Sequence, residues 1–323
     1  MIDSISIVFR NVTVGCVALC VPLNLFTIYI IVKKSPKQLD VYKYILLKIS
    51  LWVFLGDIAT DIFLIPTPTP TNINALYPAG LSSLFGPAGG TVSAALSVFC
   101  VAECFIGLCI AFFFRYQALS HNFRLFGWQP EPMHYRFAAA GMVVVPPGVQ
   151  FFAAMYGFFP SEDFTRMVLN ENIELVPLLG NSTLVGPQKE EIIVIGIALS
   201  AYIISVMTFM VLCIVGIMKQ LRALRPSMSA ATYAMQVQLM KALVVQTATP
   251  SILFAMPICT VTLDLIFNFG CLRYGIIIMV FSMSVHSVVN SCAVMVLIAP
   301  YRIAVREMFL RKKTVVATLS VTA

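Results

Sequence analysis

Five polar side chains that could carry chemistry stand inside long apolar stretches of this 323-residue chain. They are Asp57, Asp61, Glu103, His286 and Asn290. A carboxylate in the middle of a bilayer costs about 2.5–3.5 kcal/mol on insertion scales, so these acids need a reason to be there. Their types allow four roles: contact with a ligand, binding of a small cation, proton transfer, and hydrogen bonding between helices.

The spacing of these residues predicts a common depth for four of them. Asp57 and Asp61 are four residues apart and share one helix face, as do His286 and Asn290. With a rise of about 1.5 Å per residue, Asp57, Glu103, His286 and Asn290 lie about 15–20 Å above the inner ends of their helices. The sequence therefore predicts a central polar layer, with Asp61 nearer the outer mouth. Such a layer serves as a ligand floor, a conformational switch or a packing contact.

Seven apolar runs supply the helices that must position this layer. Each run reaches the length of about 20 residues that a helix needs to cross about 30 Å of hydrocarbon. The runs are residues 12–32, 44–66, 89–114, 137–159, 192–217, 239–262 and 272–299, followed by a short tail, 300–323. With 59% hydrophobic and 11% charged residues, the composition favours an all-α membrane protein that forms a single seven-helix bundle.

The positions of lysine and arginine predict the orientation of the bundle. Sixteen of the 21 lie in every second gap between the runs and in the tail, whereas four lie in the other gaps. The positive-inside tendency then places the N-terminus outside the cell and the C-terminus in the cytoplasm. The net charge of +7 is explained by anionic membrane lipid rather than by nucleic acid. Lys48 lies within a span, and we expect its stem to snorkel back to the inner interface.

The remaining motifs argue against catalysis. No serine has a histidine partner at a known spacing, and no metal-binding or phosphate-binding motif occurs, so we expect no enzyme activity, metal or cofactor. Glycosylation sequons begin at Asn11 and Asn181, both predicted to be extracellular. In the sixth span, Gln246, Pro250 and Pro257 mark either a hinge or a static kink.

More specific patterns stand at the inner ends of spans three and six and along span seven. They are Phe113-Phe114-Arg115-Tyr116 at the end of span three, Gln236-Val237-Gln238-Leu239-Met240-Lys241 at the start of span six, and His286-Ser287, Asn290-Ser291 and Pro300-Tyr301-Arg302 in and after span seven. Together these patterns resemble the nematode serpentine chemoreceptors of the Str superfamily, most closely the Srh class. The resemblance implies an odorant-type G-protein-coupled receptor in the plasma membrane, at the sensory cilium of chemosensory neurons. Its ligand would be a small environmental molecule that enters from outside.

The resemblance also implies which residues face a heterotrimeric G protein. The candidates are Arg115, Tyr116, Lys219, Arg222, Arg225, Pro300, Tyr301 and Arg302. Arg115 can offer its planar guanidinium to carbonyls or to a carboxylate of the partner, or can anchor the helix at the interface. Phe114 stands where rhodopsin-like receptors carry an acid, so an ionic latch from that neighbour is not available. The second outer loop has no cysteine for a bridge to helix three.

Two other classes remain open at this point. A ligand-gated channel of the insect odorant-receptor type would have its N-terminus inside the cell. A proton-coupled transporter would need Asp57 or Glu103 for flux, although the seven unequal runs show no repeated halves of the kind common in transporters.

Overall fold

The structure of the protein, a computed structural model, describes residues 4–36, 39–68, 76–119, 148–152, 154–155, 170, 184–185, 189–267 and 269–309. Its long α-helices are α1, Ser4–Lys34; α2, Asp40–Asp57; α3, Gly86–Leu119; α4, Lys189–Leu224; α5, Ala230–Pro250; α6, Met256–Phe267; and α7, Leu272–Leu297. The first three correspond to the first three predicted spans, α4 to the fifth, α5 with α6 to the sixth, and α7 to the seventh. In the fourth predicted span, residues 148–152 and 154–155 are helical, and the rest lies outside the described residues.

Five helical stretches in the described residues are long and apolar enough to cross a membrane. They are Ile7–Lys34, Ala88–Gln117, Ser200–Ser227, Ala230–Asp264 and Arg273–Leu297. These match the first, third, fifth, sixth and seventh predicted spans. The second predicted span is helical but contains Lys48, Asp57 and Asp61, which lower its apolar character. Its crossing of the bilayer, and that of the fourth span, stay predictions.

The helices extend beyond the apolar runs from which they were predicted. α1 begins at Ser4, α3 continues past Arg115 to Leu119, and α4 reaches Leu224. Apolar length marks only the part of a helix that lies in hydrocarbon, because backbone hydrogen bonding continues into the polar flanks. The predicted tail needs the same correction, since residues 299–309 form a helix with Pro300 in its first turn. Proline fits there because the first amides of a helix have no internal acceptor.

Two π-helical turns occur, one at the end of the second span and one within the sixth. The first, Ile58–Leu64, contains Asp61 and ends at Ile65, whose φ of 40° stops the helix. The amide of Ile65 donates to the carbonyl of Thr60 at 2.8 Å, the wide spacing of a π turn. The second, Ser251–Ala255, lies directly after Pro250, and Pro257 is in the first turn of α6. The predicted hinge region thus has a helix irregularity of the kind often found at functional sites.

The half of the bundle that is predicted to face the cytoplasm, called the inner half, holds the largest apolar core. α2 packs along α3, α1 packs against α2 and α7, and α5 packs against α7. Fully buried side chains from these helices include Leu46, Leu108, Phe112 and Leu243. This core fixes the depth and rotation of the polar side chains above and below it.

The first outer loop contains a two-stranded sheet, and the second outer loop adds one bridge to it. Strand β1, Pro66–Pro68, pairs antiparallel with β2, Leu76–Pro78. The prolines on both sides of Thr67 favour this extended backbone. Val185, from the second outer loop, then pairs with Leu76 through backbone hydrogen bonds of 2.8 and 2.9 Å.

The Val185 side chain fixes this loop to the start of α3. It is fully buried and packs with Leu64 and Ala94. A Cβ added at Gly90 would come within 2.6 Å of Val185 Cγ2, so glycine leaves the space that the valine fills. This non-covalent contact links the second outer loop to the start of α3.

Cysteines introduced at Gly90 and Val185 are expected to form a disulfide, because their Cβ atoms would approach the separation of about 3.5–4.5 Å that the bond requires. The test inserts a protease site into the second outer loop before Leu184. After cleavage, the two fragments should stay joined on a non-reducing gel and separate with reductant. Cysteines at Val92 and Val185 are the control, since Val92 lies on another face of α3 and is exposed. Equal cross-linking of both pairs, or of neither, would contradict the contact.

Candidate functional site

A hydrogen-bonded cluster joins α1, α2 and α7 around Asp57. Asn24 Nδ2 donates to Asp57 Oδ2 and to Ser287 Oγ, each at 2.7 Å, and Ser287 Oγ also donates to Asp57 Oδ2. Ser291 Oγ donates to Asn24 Oδ1 at 2.7 Å. All four residues are buried. The Asp57 carboxylate therefore links three helices, so its charge or protonation can bias how they pack.

Asp61 lies one turn farther out and makes a separate contact. Its Oδ2 accepts from Ser284 Oγ at 2.9 Å, while its Oδ1 is buried and has no partner in the described part of the chain. The two acids therefore face the same helix, α7, as their spacing of four residues predicts. They do not share a hydrogen-bond partner there.

Gln246 and Asn290 connect α5 to α7. Gln246 Nε2 donates to Asn290 Oδ1 at 3.0 Å. The other amide atoms, Gln246 Oε1 and Asn290 Nδ2, are buried and have no partner among the described residues. Gln246 lies one turn before Pro250, so a movement of the part of the sixth span beyond Pro250 would act on this contact. Gln246 Oε1 and Asn290 Nδ2 could then accept and donate new hydrogen bonds.

The expectation for Lys48 is wrong. Its ammonium does not snorkel to the inner interface but forms an ion pair and hydrogen bond with Glu103 on α3. The Glu103 side chain is only 3% exposed. Leaving its buried charge unpaired would cost far more free energy than ordering the Lys48 side chain beside it. Lys48 and Glu103 thus neutralise each other between α2 and α3.

The predicted central layer is therefore three sets of contacts rather than one cluster. Asp57 binds Asn24 and Ser287, Glu103 binds Lys48, and Asn290 binds Gln246. Equal depth along separate helices did not bring these groups together because each helix rotates its polar side chain toward a different neighbour.

A small cavity lies beside Asp57 and His286. Its volume of about 20 Å³ is enough for about one water molecule. Its walls come from α2, α3, the π turn of span six, and α7; they include Cys104, Phe105 and Phe254. The His286 ring is buried and lies 5.2 Å from the Phe254 ring, centroid to centroid. Because Phe254 belongs to the sixth span, a movement of that span would change the contact between the two rings.

A second polar cluster, the inner cluster, consists of Arg115, Gln236, Tyr42, Tyr301 and Ser35. Arg115 donates through Nη1 to Gln236 Oε1 and lies 4.1 Å above the ring of Tyr42. Tyr301 OH and Ser35 Oγ are 2.7 Å apart. The cluster joins the inner ends of α2, α3 and α5, the loop after α1 and the helix at residues 299–309.

The inner cluster contains two of the predicted coupling residues, whose role stays a prediction. Arg115 and Tyr301 are 7% and 0% exposed, so neither is presented to a partner in this arrangement. Both lie inside because α3 and the helix at residues 299–309 continue beyond the predicted ends and pack against their neighbours. Tyr116 is half-buried, and its ring lies against Gly216 of α4.

The other candidate coupling residues do lie on the surface. Lys219, Arg222 and Arg225 are exposed along the inner extension of α4 and the turn that follows it. Arg225 stacks 5.7 Å over the ring of Tyr233. Arg302 is also exposed, and its Nη1 donates to the carbonyl of Val296 at 3.1 Å. Pro300 is half-buried.

The two sequons differ in what the structure describes. Asn181 lies outside the described residues. Asn11 lies in α1, within the candidate span Ile7–Lys34, and Thr13 Oγ1 donates to the carbonyl of Phe9 at 3.0 Å. A helical site at the membrane is a poor place for a bulky glycan, which counts against Asn11.

Sequence reasoning missed the partners of the acids more than the acids themselves. Ser284, Ser287 and Ser291 share one face of α7, and that spacing of three and four residues was a usable signal. Gln236 and Tyr42 gave no comparable signal, because each lies at a helix end where polar residues are ordinary. Among the described residues, no group of three or more potential metal ligands comes together.

A match to a known protein family spans the residues of both polar clusters. The model of the family described as serpentine type 7TM GPCR chemoreceptor Srh matches residues 7–311. That range runs from α1 through the helix at residues 299–309 and thus includes every residue of the two polar clusters. No curated protein matches the chain. Since the family match covers nearly all of the sequence, this protein belongs to the Srh family of serpentine chemoreceptors.

Proposed function

We propose that this protein is an odorant-type chemosensory receptor that binds a small environmental molecule from outside the cell and activates a heterotrimeric G protein. In this proposal the chain crosses the plasma membrane seven times, with its N-terminus outside, and serves in the sensory cilium of a chemosensory neuron. Membership in the Srh family and the five apolar helices support this role.

The inner cluster is the observation that carries the proposal. Arg115 ties α3 to Gln236 of α5 and to Tyr42 of α2, so one buried cation holds three helices together at the basic face. A G protein gains a binding surface if these helix ends separate and Arg115 becomes free to donate to carbonyl or carboxylate oxygens. Lys219, Arg222 and Arg225 then supply positive charge beside it.

The ligand must act from the outer half of the bundle. The cavity beside His286 holds about one water, so an odorant-sized molecule requires a wider arrangement than the present one. A ligand that binds the wider arrangement more tightly shifts the population toward it. The π turn at Ser251–Ala255, which contains Phe254 and lies farther from the inner ends than the inner cluster, offers a route for that shift.

A ligand screen in cells that carry a promiscuous Gα and a calcium reporter tests this function. We expect at least one small volatile molecule to raise calcium only in cells that express the receptor. Arg115→Ala should greatly reduce this response while surface delivery remains. Arg10→Ala is the matched control, since Arg10 is an exposed residue of α1 on the predicted outer side. An unchanged dose response in Arg115→Ala would contradict the coupling role.

A further inference from the structure

Asp61 differs from the other buried acids of the described residues in its bonding. These four acids are Asp57, Asp61, Glu103 and Asp264. Asp57 accepts from Asn24 and Ser287, Glu103 is paired with Lys48, and Asp264 Oδ1 accepts from the amide of Cys271 at 2.8 Å. Within the described part of the chain, Asp61 accepts only from Ser284, and its buried Oδ1 has no partner there. Buried polar atoms normally have a hydrogen-bond partner, so this oxygen is expected to accept from a donor outside the described residues.

The position of Asp61 is suited to a donor that arrives from outside. The residue lies in the π turn Ile58–Leu64, four residues before the helix ends at Ile65, which corresponds to a depth of about 6 Å. Strand β1, which follows, packs on α1 and α7. Asp61 thus lies in a segment that contacts α1 and bonds to α7, next to a strand that packs on both helices, at a level above the Asp57 cluster.

The charges around Asp61 select the chemistry of that donor. No lysine or arginine of the described residues forms an ion pair with Asp61. The ion pair found among these residues joins Lys48 to Glu103. The α1 neighbours within electrostatic reach are Cys16 and Cys20, and the α7 contact is Ser284, none of which carries a positive charge. A buried carboxylate in such surroundings gains most from a cation that also donates hydrogen bonds.

The sequence of the outer loops adds a long-range preference for cations. The second outer loop, residues 160–191, contains six acids and two bases. A surface of one sign raises the local concentration of small molecules of the opposite sign. Neutral or anionic molecules receive no such help, and an anion would be repelled at Asp61.

We propose that Asp61 binds the ammonium group of a small protonated amine and that amines are the ligand class of this receptor. This inference rests on the proposed function only in taking the outer half of the bundle as the ligand site. Asp61 Oδ1 accepts from the ammonium, while Ser284 continues to hold Oδ2. The Asp57 cluster, one turn below, remains a structural contact between helices.

Binding is tested on purified receptor without a G protein, by thermal unfolding. The probes are methylammonium, butylamine and phenethylamine, each compared with methanol, butanol or 2-phenylethanol at neutral pH. At least one amine should raise the Tm above the value with its alcohol, by about 2–4 °C at ten times the dissociation constant. Asp61→Asn should abolish that rise. Asp264→Asn, a matched change at a buried outer acid that already has a donor, should retain it.

The ligand-free receptor supplies a second readout. Asn at position 61 can still accept from Ser284 and carries no buried charge, so Asp61→Asn should unfold at the same temperature as the wild type or higher. A purely structural acid would give a lower Tm when replaced. The proposal is overturned if no amine exceeds its alcohol, if the rise survives Asp61→Asn, or if that variant alone is destabilised. A calcium screen that failed while amine binding persisted would instead count against G-protein coupling.

Discussion

Gln236→Ala is expected to raise the basal signalling of the receptor. The substitution removes the acceptor that holds Arg115 of α3 against α5. A hydrogen bond to a charged group contributes about 1.5–3 kcal/mol, which corresponds to a shift of about 10- to 150-fold in the equilibrium toward separated helix ends. Receptor-dependent calcium or nucleotide exchange without any ligand is the measurement, normalised to receptor at the surface.

Two further variants separate a latch from a general loss of packing. Gln236→Glu converts the contact to an ion pair, so basal activity should fall below the wild-type value. Gln238→Ala, two residues along α5 and on another face, should behave as wild type. Combining Gln236→Ala with Arg115→Ala should remove the gain, because the freed arginine is the group that engages the partner. If alanine and glutamate at position 236 both leave basal activity unchanged, Arg115 is not restrained by this contact.

Lys48→Met is expected to cause the largest loss of folded receptor. It leaves Glu103 buried without its counter-ion, and breaking one side of a buried pair costs about 3–5 kcal/mol. A loss of that size is a large part of the stability of most proteins, so surface delivery should collapse and the Tm of the remaining receptor should fall. Surface immunolabelling and thermal unfolding after detergent extraction measure the two effects.

The double variant, in which both members of the ion pair are apolar, tests whether the loss of stability comes from the unpaired charge. Lys48→Met with Glu103→Met should recover much of the stability, since apolar residues of similar volume often replace a buried ion pair at little cost. A double variant as unstable as the sum of the single ones would show that the two side chains act independently. Lys43→Met, at an inner-end lysine of the same helix, is the control and should have little effect.

The apolar pattern predicted the helices well because a bilayer imposes a simple requirement of length. Five of the seven runs are long apolar helices in the structure, and the burial of Asp57 and Asp61 toward one neighbouring helix followed from their spacing. Hydrophobic length and helical period are local properties, so they can be obtained from a single sequence.

Partner choice could not be predicted in the same way. Lys48 and Glu103 pair, whereas Glu103 and Asp57 do not, because the rotation of α2 against α3 depends on packing such as the close approach of Ile49 to Gly107. A Cβ added at Gly107 would lie 2.8 Å from Ile49 Cγ1. The pairing of Val185 with Leu76 is equally non-local, since the two residues are far apart in the chain and meet through backbone atoms.

Every functional statement about the two faces of the bundle depends on the orientation of the chain in the membrane. The accessibility of epitope tags measures this orientation directly. Epitopes are placed at Met1 and Ala323 and labelled with antibody on intact and on permeabilised cells. We predict that the Met1 epitope is labelled on intact cells and that the Ala323 epitope is labelled only after permeabilisation. Labelling of Ala323 on intact cells, with Met1 protected, would contradict a receptor whose basic face meets a cytoplasmic G protein.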